Sequence, residues 1–170
     1  MSLTDTRVVF IGGGSGIGLE TAKLAAAEGA EVVIAGRSAE RIEAALAEIG
    51  GDADAEGYQL DAMDEPAVAA FFAGLGAFDH LCLLLPTTTG PELAARLGPF
   101  VETALNDLRE SFEVKFWAAM NCVKHGSPNI RANGSITFVT GAANRKALPG
   151  FIAGAAANGA LEAIMRVLAL

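Results

Sequence analysis

The side chains in this sequence that can hold a charge or move a proton are thinly spread. Lys115 stands in "FEVKFW", Thr140 ends "SITFVT", and "NRK" follows at 144–146. His80, His125, Cys82 and Cys122 add two imidazoles and two thiols. The densest chemical signal is main chain rather than side chain. "FIGGGSGIGLE", residues 10–20, sets Gly12, Gly13, Gly14, Gly16 and Gly18 around Ser15. Backbone this bare lets a large group approach the N–H donors at a helix N-terminus, and the chemistry it suits is the binding of a phosphate or pyrophosphate.

Such a loop needs a strand before it and a helix after it. Short aliphatic runs, "RVVFI" (7–11), "EVVIA" (31–35), "AEGYQL" (55–60), "HLCLLL" (80–85) and "SITFVT" (135–140), read as strands. Three of them are apolar on successive residues, as in a parallel sheet covered on both faces. Helices are expected over 16–28, closing at Gly29, and over 38–49, from an N-cap at Ser38 to Gly50-Gly51. In that second helix Ile42, Leu46 and Ile49 share a face. A third helix starts near Asp64 with Pro66 in its first turn. Residues 101–125 hold one long helix or two in succession, and an alanine-rich helix runs over 152–168. The alternation βαβαβαβαβα predicts an α/β fold: a Rossmann-like, doubly wound parallel sheet in three αβα layers. With no repeat and no linker, residues 1–170 read as a single dinucleotide-binding domain.

Composition narrows the function classes. Of 170 residues, 52% are hydrophobic and 19% charged, which is globular rather than disordered. A net charge of -8 with no basic cluster argues against nucleic acid as a partner. The run "LCLLL" at 81–85 is too short to span a bilayer, and polar residues rather than an apolar leader precede "RVVFIG". The two cysteines carry no CxxC and no ligand cluster, so neither a disulfide nor a metal site is expected, and the chain reads as cytoplasmic.

The loop spacing is Gly12-x-x-x-Gly16-x-Gly18 rather than GxGxxG, with similar physics. The early glycines permit the turn, and the last lets the helix pack on the strand. Gly12, Ser15, Gly16, Ile17 and Gly18 are the expected pyrophosphate contacts. The second strand ends "IAGRS", with Gly36 where an NAD site usually places an acid for the ribose 2′-hydroxyl. Arg37 can instead pair with a 2′-phosphate and Ser38 can donate another hydrogen bond, which favours NADP(H) over NAD(H).

On these residues the chain resembles the short-chain dehydrogenase/reductase family. Its TGxxxGxG motif is matched by Ile11-Gly12-x-x-x-Gly16-Ile17-Gly18, with isoleucine for threonine. "QLDAMD" (59–64) matches the segment whose aspartate contacts adenine, mapping to Asp61 with Ala62 beside it. "LLLP" (83–86) stands where the family has NNAG, bringing Pro86 to the cofactor. "GPF" (98–100), "GSITFVTGAA" (134–143) and "ALEAIMRVLAL" (160–170) keep the family's order. The resemblance covers essentially the whole chain. It implies redox chemistry on a small-molecule carbonyl or alcohol, and a homodimer or homotetramer joined through the long helix and the last helix. It also implies that the family's C-terminal strands are missing from this chain.

The resemblance breaks at the catalytic positions. The family's serine falls on Gly141, just after Thr140; its tyrosine falls on Gly154, its lysine on Asn158 and its asparagine on Lys115. Hydride transfer to a carbonyl needs a proton donor at the developing alkoxide, and glycine offers none. The only tyrosine, Tyr58, lies in the third strand. Lys115, on a helical stripe with Leu108, Phe112, Ala119 and Cys122, either supplies the charge lost at 158, with Thr140 positioning a ligand, or snorkels and pairs with Glu110 or Glu113. His80, His125 and "NRK" read first as structural or solvated groups. Two functions stay open: an oxidoreductase with a non-standard active site, or a non-catalytic NADP-binding sensor or assembly protein.

Overall fold

Runs of Val and Ile set the sheet. In the computed structural model, which describes residues 3–51, 53–86, 88, 92 and 97–169, β1 (Arg7–Ile11), β2 (Glu31–Gly36), β3 (Ala55–Gln59), β4 (Phe78–Leu83) and β5 (Ile130–Phe138) form one sheet. Every pairing is parallel and the order is β3-β2-β1-β4-β5. Val8–Ile11 and Val32–Ala35 are buried on successive residues, as strands covered on both faces must be. This is the expected Rossmann-like arrangement. The chain moves outward from β1 through β2 and β3, then returns to the other side of β1, so the order reverses between β1 and β4. Ligands of open α/β sheets gather at the carboxyl ends of strands flanking such a reversal.

The residues divide into two units, Met1–Leu84 with Asn121–Phe138, and Leu85–Met120 with Val139–Leu170. The first holds the whole sheet with α1 (Gly16–Ala27), α2 (Ala39–Ile49) and α3 (Glu65–Leu75). Val8, Phe10, Val32 and Ile34 form one buried cluster with Leu19 and Ala22 of α1 and Ile42 and Ala45 of α2. The opposite parity of β1 and β2 buries Val9 and Val33. The expected capping holds: Ser38 accepts from Arg41 N, and Asp64 accepts from Ala67 N with Pro66 in the first turn.

At the amino ends of the strands, Arg7 ties neighbours together. Its Nη1 donates to Leu75 O at 2.7 Å and its Nη2 to Glu56 Oε2 on β3 at 3.2 Å. Its Nε lies 2.5 Å from Glu31 Oε1 on β2, an ion-pair contact rather than a directed hydrogen bond. Its main-chain N–H donates to Asp79 Oδ2 on β4, which also accepts from Arg131 on β5. The Arg7 N–H, with Arg131 beside it, holds the Asp79 carboxyl below its usual range.

The second unit contains α4 (Leu105–Phe112), a π-helical turn (Glu113–Trp117) that follows it directly, the first three residues of α5 (Ala118–Gly126), and α6 (Ile152–Leu168); the rest of α5, from Asn121, belongs to the first unit. The long-helix expectation is therefore met from residue 105 onward, with a π turn inside it that periodicity did not show. β5 also differs, beginning at Ile130. Phe78 pairs with Ile130 but His80 pairs with Ser135, so the intervening residues bulge, with Asn133 at a φ of 69°. Among the described residues no helix is long and apolar enough to cross a membrane.

Helix α1 can start against the end of β1 only because residue 18 has no side chain: a Cβ there would fall inside contact distance of the Gly12 carbonyl oxygen. Gly18→Ala is expected to destabilise the fold by about 1–3 kcal/mol, the usual penalty of overpacking, read as a fall of several degrees in Tm. An unchanged Tm would contradict that packing.

Candidate functional site

Gly12 follows β1 with a φ of 92°, and a Cβ there would lie 2.5 Å from Leu84 O, just past β4. The turn therefore demands glycine. Ser15 is the N-cap of α1 in extended conformation, and its hydroxyl makes no capping bond. The first-turn N–H groups of Gly16, Ile17 and Gly18 precede the helical ladder, whose first bond runs from Leu19 N to Ser15 O at 3.3 Å. No acidic residue stands in that turn. Uncapped donors, a free hydroxyl and the positive end of a helix dipole together suit a pyrophosphate.

Arg37 is exposed immediately after β2, with its backbone held by Gln59 Nε2 donating to Arg37 O at 3.1 Å. Ser38 Oγ accepts from Arg41 N at 3.2 Å, which leaves the hydroxyl proton of Ser38 able to donate. Past β3, Asp61 Oδ1 accepts from Met63 N, and Ala62 O accepts from Asn121 Nδ2. The first unit thus gathers Gly12, Ser15, Gly16, Ile17, Gly18, Arg37, Ser38, Asp61 and Ala62 at the carboxyl ends of three adjacent strands. Pro86 follows β4 and belongs to the second unit.

The second unit brings the other predicted residues together. Lys115, Thr140, Gly141, Gly154 and Asn158 line one pocket of ≈ 300 Å³, whose remaining wall includes Val139, Ala142, Ala143, Leu148 and Phe151. All four positions that the family resemblance marks as catalytic converge there, occupied by Gly, Gly, Asn and Lys. Lys115 sits in the π turn and is only 6% exposed. Its Nζ donates to Leu85 O at 2.9 Å and Val139 O at 3.2 Å, so the acceptors found for it are main-chain carbonyls. Burial lowers its pKa from the ordinary 10.5. The expected stripe is displaced upstream: Ser111 is fully buried while Leu108 and Phe112 are half-buried. A π turn carries more residues than an α turn and rotates what precedes it, a device found often at functional sites.

Thr140 Oγ1 donates to Glu162 Oε1 at 3.0 Å, and Glu162 also accepts from Arg145 Nη2 at 3.0 Å. Hydrogen bonds from Asn144, Arg145 and Thr140 hold the Glu162 carboxyl below its usual range. The "NRK" segment thus anchors Glu162, a partner too distant in sequence for spacing to reveal. Asn158 Nδ2 reaches Gly141 O at 3.5 Å, and its Oδ1 is buried with no partner among the described residues.

The remaining candidates are engaged elsewhere. Tyr58 donates to Glu56 Oε2 at 2.9 Å and packs edge-on to Phe71. That bond raises its pKa, the wrong direction for a proton donor near neutral pH. His80 Nδ1 shares a hydrogen bond with Ser135 Oγ, and His125 Nε2 lies 3.1 Å from Glu65 Oε1. Burial pushes the Cys122 thiol up to about 12 and raises Cys82 as well, so neither is poised as a thiolate. No group of metal-ligating side chains is arranged to hold an ion among the described residues.

A family model described as short chain dehydrogenase matches residues 6–170. Short-chain dehydrogenase/reductase ATR9 of Stachybotrys chlorohalonatus is 31% identical over 182 residues, covering 99% of this chain and 69% of that protein. A solved small-chain dehydrogenase in complex with NADPH is 33% identical, with a TM-score of 0.76 over 96% of this chain and 64% of the other. An NADPH-bound short chain oxidoreductase from Pseudomonas aeruginosa PAO1, described as containing an atypical catalytic center, is 27% identical. Its TM-score is 0.87, covering 99% of this chain and 66% of that one. The chain spans about two thirds of the length of these proteins, and 33% and 48% of two further curated relatives.

The buried ammonium of Lys115 has a consequence for stability. Its folded pKa lies below 10.5, so between the two values the unfolded chain binds more protons and stability rises with pH. Urea midpoints of the natural chain should therefore gain on those of Lys115→Met as pH is raised through that window. Midpoints that move in parallel would contradict the desolvated ammonium.

Proposed function

The chain belongs to the short-chain dehydrogenase family, and on that premise we propose that it is an NADP(H)-dependent oxidoreductase of a small-molecule carbonyl or alcohol with a non-standard active site built on Lys115. The observation that carries this reading is the convergence of the four family positions on one pocket in which Lys115 is the one titratable group among the described lining residues.

The residues of the loop fit the dinucleotide. The free first-turn N–H groups of α1, the uncapped Ser15 hydroxyl and the Cβ-free approach at Gly12 and Gly18 would hold the pyrophosphate. Arg37 and Ser38 would take the 2′-phosphate, and Asp61 and Ala62 the adenine. Bound NADP(H) would supply or accept the hydride. Lys115 contributes the proton. Two of its three N–H groups satisfy Leu85 O and Val139 O, leaving one for a substrate oxygen. Its lowered pKa eases proton transfer to a developing alkoxide, the role that neither Gly141 nor Gly154 can fill. Thr140, its hydrogen committed to Glu162, accepts from the ligand rather than donating to it.

In this proposal residues 1–170 act as one dinucleotide-binding domain of a cytoplasmic homodimer or homotetramer. Two free cysteines support the compartment, and exposed Trp117 and Leu105 on the long helix with Met165 and Val167 on α6 support the assembly. A second reading, a non-catalytic NADP-binding sensor or assembly protein, is favoured by the side chains absent at 141 and 154.

Arg37→Ala should weaken NADPH in a fluorescence titration by about tenfold, the worth of a charge-assisted hydrogen bond, and leave NADH unchanged. Equal effects on both cofactors would remove the 2′-phosphate assignment. In a screen of carbonyls and alcohols read by NADPH consumption, Lys115→Met should abolish turnover and Lys115→Arg should lose the decline of reduction rate with rising pH. Normal turnover in Lys115→Met would sink the proposed chemistry, and NADPH binding with no turnover in the natural chain would favour the sensor.

A further inference from the structure

Lys115 is held in a way that suits a neutral amine. Other lysines lie against carboxylates, Lys23 beside Glu20 and Glu48 and Lys124 beside Glu65. Lys115 has no carboxylate partner among the described residues, and its Nζ donates to Leu85 O at 2.9 Å and Val139 O at 3.2 Å. A neutral amine has two N–H groups and one lone pair, so these carbonyls use both hydrogens and the lone pair remains. An ammonium there carries a third N–H with no acceptor among the described residues, on a side chain only 6% exposed. Burial lowers the pKa of the group in the same sense.

Lys115 lines the pocket of ≈ 300 Å³ together with Val139, whose carbonyl it bonds. Ala142, Ala143, Leu148 and Phe151 give that pocket an apolar wall, and no carboxylate and no second cation lines it among the described residues. Leu148 and Phe151 are exposed as well as lining, so the pocket meets solvent along apolar groups. A lysine desolvated in an apolar pocket is a nucleophile, and its partner is a carbonyl carbon.

We infer that Lys115 captures small apolar aldehydes covalently, as an imine on its Nζ. The lone pair attacks the aldehyde carbon, the C=O π pair moves to oxygen, and a carbinolamine forms. The oxygen leaves as water with the two hydrogens that Nζ carried, and a C=N bond replaces the C=O bond. A proton from solvent turns the imine into an iminium, and nothing is oxidised or reduced. The N–H of the iminium keeps Leu85 O or Val139 O satisfied. An aldehyde sets only a hydrogen beside the reacting carbon, which suits a nitrogen flanked by two carbonyls. This activity needs neither a dinucleotide nor the glycine loop, so it stands apart from the oxidoreductase reading.

Benzaldehyde, apolar and uncharged, tests it on the full chain at neutral pH, with sodium cyanoborohydride present to reduce the iminium to a stable benzylamine. Peptide mapping by mass spectrometry then reads the label at each lysine and at the amino terminus. Lys115 should be labelled about tenfold faster or more than the exposed Lys146, a modest share of what held reactants gain from proximity. Glyoxylate, a charged aldehyde, should show no such advantage at Lys115. Both comparisons are made within the natural chain, so neither depends on a variant folding. Lys115→Met and Lys115→Arg should each lose the fast label and keep the slow one at Lys146. Labelling at Lys115 no faster than at Lys146, or an equal advantage for glyoxylate, overturns the inference. Fast labelling of Lys115 without NADPH turnover removes the oxidoreductase reading alone, and NADPH turnover without that labelling removes this inference alone.

Discussion

The close approach of α1 to the end of β1 depends on one missing atom. With no Cβ at Gly18, the helix comes down onto the Gly12 carbonyl, and with none at Gly12, the turn passes against Leu84 at the end of β4. These two absences aim the amino end of α1 at the reversal point of the sheet. Side chains would force the helix away, and the unpaired N–H groups of Gly16, Ile17 and Gly18 would no longer share one focus. The helix dipole and those donors act only over the first turn, so the fit to an anion follows from this packing. Arg37 and Ser38 extend the same edge by one strand, and the Arg7 network holds the opposite ends of the strands in register.

In the second unit the governing interaction is the buried ammonium of Lys115. Desolvation disfavours its charge, and the carbonyls of Leu85 and Val139 compensate in part. The π turn places the residue at the pocket instead of along a regular helical stripe. The pocket is then lined by one ammonium of lowered pKa and one hydroxyl committed to Glu162. In the proposed function that set replaces the tyrosine and lysine of the family.

The sequence carried those parts of the molecule that local rules govern. Aliphatic runs marked the first four strands to within two residues, Ser38 and Asp64 marked helix starts, and the glycine spacing marked the loop. Family order marked 115, 141, 154 and 158 as positions to watch, and they share a pocket. What stayed hidden depends on partners distant along the chain. A π turn uses the same residues as an α turn, so apolar spacing suggested Leu108 and Phe112 where burial selects Ser111. Nothing near Thr140 announces Glu162, and nothing near Asn158 shows that its Oδ1 lacks a donor. The bulge before Ser135 likewise follows from register against β4 rather than from composition.

In the proposed function the loop between β1 and α1 holds a dinucleotide phosphate whose 2′ end reaches Arg37. A crystal structure of the chain grown with NADPH tests it most directly. Pyrophosphate oxygens should then lie within hydrogen-bond reach of the Ser15–Gly18 main chain, and the 2′-phosphate should lie on Arg37 and Ser38. NADPH bound elsewhere, or an empty loop at saturating NADPH, would contradict it.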